Sequence, residues 1–411
     1  MRGRRARWHL RANTPVLGWL SAALVVAAMQ PLVPHARWVV VHLLLLGGVT
    51  NAIVVWSAHF ATALLRSSRG NSYRRQAARL ALLNLGVLLV VTGMLLAEWP
   101  VVVLGAAVVA GAVLWHGASL ANHVLQSPQS DFAVVVRFYL AAVASLVVGV
   151  CLGGLLAAGV GEPFTQRLLV AHVILNVLGW VGLTIIGTLT ILWPAMLRTR
   201  HAPRAGSTAR VALVVLVSAL AVVSGSVLTG WSGLAAAGVL AYLVGLCVAA
   251  RPLVIAARRR LPSSYPTWSV LAGCGWLAGS LVALAWVLVS APTGTDVVGG
   301  LRALVVPFAV GFAVQVLFGA LSYLAPVVLG GGADAVTRAN RRLASAGRLR
   351  IAVINGGLLL TALPVPGPVH LVAATAVLLS LGAIVPLLIS AVSISRRGRR
   401  AGTRHGGQHG P

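Results

Sequence analysis

Long apolar runs follow one another along the whole chain, broken by short stretches rich in Gly, Pro and Arg. A helix needs about 20 mainly apolar residues to cross a bilayer. Twelve segments meet that length approximately: 15–34, 38–65, 80–98, 100–125, 132–160, 168–197, 211–229, 231–250, 268–290, 303–329, 351–364 and 368–393. The interruptions carry the residue types that end helices. The expected fold is all-α: a polytopic membrane helix bundle of about 12 transmembrane helices, forming a single transmembrane domain over 1–411.

Composition changes the picture in one respect, by excluding the alternatives. A soluble chain of 411 residues would divide into two or three domains. Here charged residues are 9 % and hydrophobic residues 59 %, and the mean hydropathy is +0.94. Soluble domains carry about 25 % charged residues, so too little charge is present to solvate a water-facing surface. Disorder is excluded by the same apolar content.

The net charge is +27, from 32 basic residues and five acids, and every basic residue is arginine. In a soluble protein this balance would point to nucleic acid. The arginines instead sit between apolar runs, the positive-inside pattern of membrane proteins, and no nucleic acid is required. With the N-terminus placed in the cytoplasm, 29 of the 32 arginines fall in cytoplasmic segments. Arg37, Arg167 and Arg302 remain outside. The expected location is a bacterial plasma membrane, multi-pass, with both termini cytoplasmic. The lipid bilayer is the first partner, and the arginines of the C-terminal tail are expected to rest on anionic headgroups.

The start, MRGRRARWHLR before an apolar run, resembles a signal sequence, but no A-x-A site precedes Pro31 and Pro34. A retained first helix is expected. The tail 394–411 is basic and Gly-rich, and His405 and His409 read as tail residues. Cys151, Cys247 and Cys274 lack CxxC spacing and read as small buried hydrophobes.

The three outside arginines recur. Arg37 is followed five residues later by His42, Arg167 by His172, and Arg302 by Pro307. The stretch from Gly179 to Leu197 also aligns without gaps on Gly311 to Leu329, at an offset of 132. The pattern predicts a threefold repeat of four helices, with units near 1–130, 131–266 and 267–411.

An ionisable side chain inside the hydrocarbon is a functional signal. His42 and His172 fall roughly 7 Å below the outer ends of the second and sixth helices, at about 1.5 Å per residue. They form an outer pair. His59 and His116 form an inner group, with His123 two turns from His116 on the same helix face. Neutral imidazole ligates haem iron and copper, so His42, His172, His59, His116 and His123 are the candidate metal ligands. Arg37 and Arg167 lie where the carboxylates of a haem would emerge, and arginine pairs bidentately with carboxylates. The alternative for each histidine is an interhelical hydrogen bond, with Asn51, Asn84, Asn122 and Asn176 as candidate neighbours. His370 is a further outer candidate. Gln315 and Tyr323 share a face of the tenth helix and read as packing residues. Trp38, Trp99, Trp193, Trp231 and Trp268 read as interfacial belt residues. No catalytic residue is assigned, and no P-loop, GxSxG, HExxH or EF-hand pattern is present.

Twelve helices, a repeat of four, and histidines on the second and sixth helices make the chain similar to the haem–copper oxidase subunit I superfamily. HLLLLGGVTNAIVVWSAHFATALLR from His42 and HVILNVLGWVGLTIIGTLTILWPAMLRTR from His172 resemble membrane proteins of the NnrS type. They also resemble the membrane region preceding copper-oxidase or nitrite-reductase domains in some actinobacterial proteins. The resemblance places His42 at the superfamily's helix-two haem ligand and His172 on the helix that supplies a copper ligand. The His-x-His pair of helix ten and the His-His pair of helix seven are missing here. What it implies is therefore a relative that binds haem b and/or copper, not an oxidase.

The function expected is an integral membrane redox protein, linked to nitrogen-oxide or copper-oxidase electron transfer, with a periplasmic-side copper protein or other redox partner. The alternatives are a secondary transporter or permease, or a non-catalytic membrane subunit or assembly factor.

Overall fold

The computed structural model describes residues 2–65, 73–126 and 132–406, with side chains from 6 to 399. The expected boundary between the first two repeat units, the side chain of His405 and all of His409 lie outside what is described.

Among the described residues, twelve helices are long and apolar enough to cross a membrane. They are α1 (Ala6–Ala28), α2 (Ala36–Leu64), α3 (Tyr73–Leu95), α4 (Trp99–Gln126), α5 (Ala133–Ala158) and α6 (Phe164–Leu197). The second half holds α7 (Ala205–Thr229), α8 (Ser232–Arg259), α9 (Tyr265–Ser290), α10 (Gly294–Leu329), α11 (Ala333–Ala362) and α12 (Gly367–Arg399). Each expected span is one of these, and the chain is an all-α, multi-pass membrane protein. The eleventh span, short in the sequence, is preceded by a surface helix, Ala333–Leu343, that turns into Gly347–Ala362. In hydrocarbon every backbone polar group must be satisfied within the protein, and helices do this segment by segment.

Three of these helices widen at the same relative place. π-helical turns cover His42–Val49 in α2, Leu175–Gly182 in α6 and Pro307–Val314 in α10. Gly47, Gly179 and Gly311 lie inside them at intervals of 132. Each glycine receives a side chain from the preceding helix. A Cβ would fall 2.7 Å from the Trp19 ring at Gly47, 2.4 Å from Ser145 Cβ at Gly179, and 2.7 Å from the Trp276 ring at Gly311. The close approach is what excludes a larger residue. The packing follows the same fourfold order in each third: α1 on α2, α5 on α6, α9 on α10, then α3 on α4, α7 on α8, α11 on α12. The π turn of α10 touches those of both α2 and α6, so these three helices meet at the centre.

Buried amides lock two of the thirds. Trp19 Nε1 donates to Asn84 Oδ1 at 2.6 Å, Asn84 Nδ2 donates to Asn51 Oδ1 at 2.9 Å, and Asn51 Nδ2 donates to the Gly47 carbonyl at 2.8 Å. In the last third Trp276 Nε1 donates to Asn355 Oδ1 at 2.7 Å, and Asn355 Nδ2 to Gln315 Oε1 at 3.2 Å. Gln315 Nε2 then donates to the Gly311 carbonyl at 2.9 Å. A π turn disturbs the regular i→i−4 ladder, and an amide four residues on supplies a donor to the carbonyl at the turn. Asn51 and Asn84 therefore serve the scaffold and bond each other. The middle third has Leu183 at the corresponding position; there Tyr242 donates to the Leu178 carbonyl at 2.8 Å.

Two smaller expectations are corrected. Trp193 is buried, 4 % exposed, and donates to the Leu253 carbonyl, so it ties α6 to α8 and is not a belt residue. Cys151 and Cys247 are exposed on outward helix faces and Cys274 is half-buried; in a bilayer an apolar thiol side chain has no need of the protein interior.

Candidate functional site

His42 opens the π turn of α2. Its Nδ1–H donates to the Trp38 carbonyl at 2.9 Å, and the Trp38 ring stacks on it with centroids 3.7 Å apart. His172 stands on α6, one turn before the matching π turn. Its Nδ1–H donates to the Gly149 carbonyl of α5 at 2.7 Å. A carbonyl only accepts, so both Nδ1 atoms carry the proton. The neutral ring then keeps its lone pair on Nε2. The two ring centroids are 6.5 Å apart, with the ring planes inclined by 27°.

Two glycines on α5 seat the second ring. A Cβ at Gly153 would lie 2.8 Å from His172 Cε1, and one at Gly149 would lie 2.5 Å from Asn176 Oδ1. Gly149 and Gly153 are one turn apart, as are His172 and Asn176. The small pair on α5 thus receives the polar pair on α6. Small residues bring helices close in membranes; here they also set the position of an imidazole.

Both histidines open on a cavity of about 800 Å³ between α2, α3, α4, α5, α6 and α10. Its walls are apolar, with Leu46, Val90, Val109, Leu146, Val173 and Phe308 among them. At its deep end are Thr50, Asn176 and Trp180, where Trp180 Nε1 donates to Thr50 Oγ1 at 3.0 Å. At the other end Arg37, Arg302 and His35 line it.

Arg167 lies elsewhere. Its guanidinium covers Gly230, which ends α7 with φ +85°, and it donates to the Leu228 carbonyl at 3.5 Å. The last carbonyls of a helix lack intrahelical partners, and Arg167 serves them. Arg302, the third member of the arginine repeat, lines the cavity together with Arg37.

The inner histidines His59 and His116 have different hydrogen-bond partners. Ser57 donates to the Ile53 carbonyl at 2.6 Å, so the His116 Nε2–H donates to Ser57 Oγ, at 2.9 Å. His59 Nδ1 is 3.0 Å from His9 Nε2, and His9 stacks on Trp56 with centroids 5.3 Å apart. His123 is buried near the end of α4. His370 is exposed at the start of α12. Among the described residues no cluster of three or more His, Cys, Asp or Glu is placed to hold a metal ion. Tyr323 donates to the Ala195 carbonyl, tying α10 to α6.

Sequence reasoning passed over His9, Arg302 and the Gly149–Gly153 seat. Arg302 had a signal, its place in the arginine repeat. His9 had none, because its partner His59 is 50 residues away and on another helix.

The structure thus brings together a pair of imidazoles with matched tautomers, a largely apolar cavity, and Arg37 and Arg302 in its lining. No protein-family model matches the chain, and no curated protein matches it.

Proposed function

We propose that the chain is an integral membrane redox protein that holds a b-type haem between His42 and His172. The observation that carries this reading is the pair itself. Both Nδ1 atoms are tied to backbone carbonyls, so both Nε2 lone pairs are available. The ring centroids stand 6.5 Å apart, and His42 and His172 would hold the haem iron through those nitrogens.

The cavity supports an organic group over a bare ion, since its volume falls in the range of about 300–1,000 Å³ that encloses small-molecule ligands. Its apolar walls suit a macrocycle, and Arg37 and Arg302 suit paired carboxylates. A bound haem supplies one-electron exchange there. The protein's part is to fix both rings, exclude water from the apolar walls, and hold the charged edge at the mouth. Electrons would pass to a periplasmic-side copper protein or another redox partner at that mouth.

One observation favours copper as a second reading. Met94 also lines the cavity, and a thioether beside imidazoles is a donor set for copper(I). The two readings separate in one experiment. The protein is purified in detergent, a dithionite-reduced minus oxidised spectrum is recorded, and iron and copper are measured. A Soret band lost in His42→Ala and in His172→Ala is the expected result. Stoichiometric copper without haem would shift the assignment, and neither metal would end the ligand reading.

A further inference from the structure

At the arginine-rich end of the bundle, the surface helix Ala333–Leu343 buries Ala335, Ala339 and Leu343, spaced four apart. This face packs on the final helix, Ile384–Gly406. The contact is close: a Cβ on Gly398 would lie 2.6 Å from Ala335 Cβ and 2.5 Å from the Gly331 carbonyl oxygen. Arg399 donates to the Leu329 carbonyl at the end of α10. The two helices therefore form one rigid unit at the edge of the membrane-spanning region.

The outward faces of this unit carry Arg338, Arg341 and Arg342 on the first helix and Arg396 and Arg397 on the second, all exposed. Residues three and four apart on a helix stand about 5–6 Å from one another. Among the described residues none of the five makes an ion pair. Asp334 sits in the first turn of its helix, where it meets the positive end of the helix dipole. Five like charges held on two packed helices repel one another, and a counter-surface of opposite sign offsets that repulsion.

We propose that this two-helix platform is a binding site for the headgroups of anionic phospholipids in the adjoining leaflet. Guanidinium groups present forked donors that match phosphate oxygens, and the helix begins soon after α10 ends at Leu329 and leads into Gly347–Ala362. Each arginine close to an anionic bilayer surface strengthens the interaction about fivefold. The platform does not depend on the haem reading.

The test uses the full chain in detergent, titrated with phosphatidylglycerol or phosphatidylcholine, with bound lipid counted by native mass spectrometry. Phosphatidylglycerol is expected to be retained at least tenfold more strongly. R338Q/R341Q/R342Q is expected to lose that preference, and R396Q/R397Q to reduce it several-fold. R258Q/R259Q/R260Q removes the same charge at the end of α8 and is expected to keep it. An equal loss in that control overturns the site in favour of diffuse charge. Equal retention of the two lipids, or displacement by inorganic phosphate at matched concentration, also overturns it. If the triple variant fails to elute as the parent does, R396Q/R397Q carries the decision.

Discussion

Asn51 and Asn84 exchange two amide hydrogen bonds across α2 and α3, at 3.2 and 2.9 Å. Gln315 and Asn355 do the same across α10 and α11, at 3.0 and 3.2 Å. In each case one amide also takes a tryptophan N–H and the other reaches the carbonyl of the π-turn glycine. Asn84→Leu would leave the Trp19 N–H and both polar ends of Asn51 with fewer partners. Interhelical hydrogen bonds in membranes are worth about 0.6–1.7 kcal/mol each. We expect Asn84→Leu and Asn355→Leu each to cost about 1–2 kcal/mol in reversible unfolding of the purified protein. A cost at one site and none at the other would break their equivalence.

The π-turn glycines give a sharper contrast. Gly47→Ala, Gly179→Ala and Gly311→Ala each drive a methyl group into a neighbouring side chain, and overpacking costs about 1–3 kcal/mol. Gly18 and Gly111 sit on helices with nothing near their Cβ positions, so alanine there should be neutral or slightly stabilising. Melting temperatures of the five variants check this ordering. Equal melting of Gly47→Ala and Gly111→Ala would show that the α1–α2 contact is looser than the distances imply.

Gly153→Ala tests the imidazole seat. The new methyl group displaces the His172 ring, while alanine at the adjacent Gly154 meets only Ala106, at 4.0 Å. On the proposed reading, haem content per protein, read from the Soret band, should fall several-fold in Gly153→Ala and stay level in Gly154→Ala. Level content in both would remove the seat from the account of binding.

Arg302→Gln and Arg167→Gln separate the cavity mouth from the cap of α7. Hydrogen bonds to charged groups contribute about 1.5–3 kcal/mol, so if the proposed haem is held at this end of the cavity, Arg302→Gln should weaken its retention about tenfold or more. Arg167→Gln should leave retention unchanged and lower the melting temperature by a small amount. The reverse pattern, measured by transfer of haem to an apo acceptor, would exchange the two roles.

Much of the architecture was legible because the bilayer imposes one length and one polarity on every span. The arginines made the count of twelve self-checking. The offset of 132 was legible at Gly179 and Gly311, where it is exact, and blurred at Arg37, Arg167 and Arg302, whose spacings are 130 and 135. The site was legible only in part. His42 and His172 stood out as polar residues at equal depth in apolar helices, and their depth is a one-dimensional quantity that a sequence carries. Which way Arg167 turns depends on Gly230, a neighbour across space, and no spacing encodes it. The amide pairs were hidden for the same reason: Asn84 and Asn355 look like isolated polar residues until their tryptophan partners are placed beside them.

The cavity takes its walls from helices made at very different times. His42 is on the second helix, His172 on the sixth, and Arg302 and Phe308 on the tenth. A ribosome that has delivered the first third has produced one imidazole with no counterpart and a groove open along its side. The enclosure closes only when the tenth helix leaves the insertion machinery and docks its π turn against the other two. A chain truncated before α10 would lack Arg302 and Phe308 and would leave that side of the cavity without its wall.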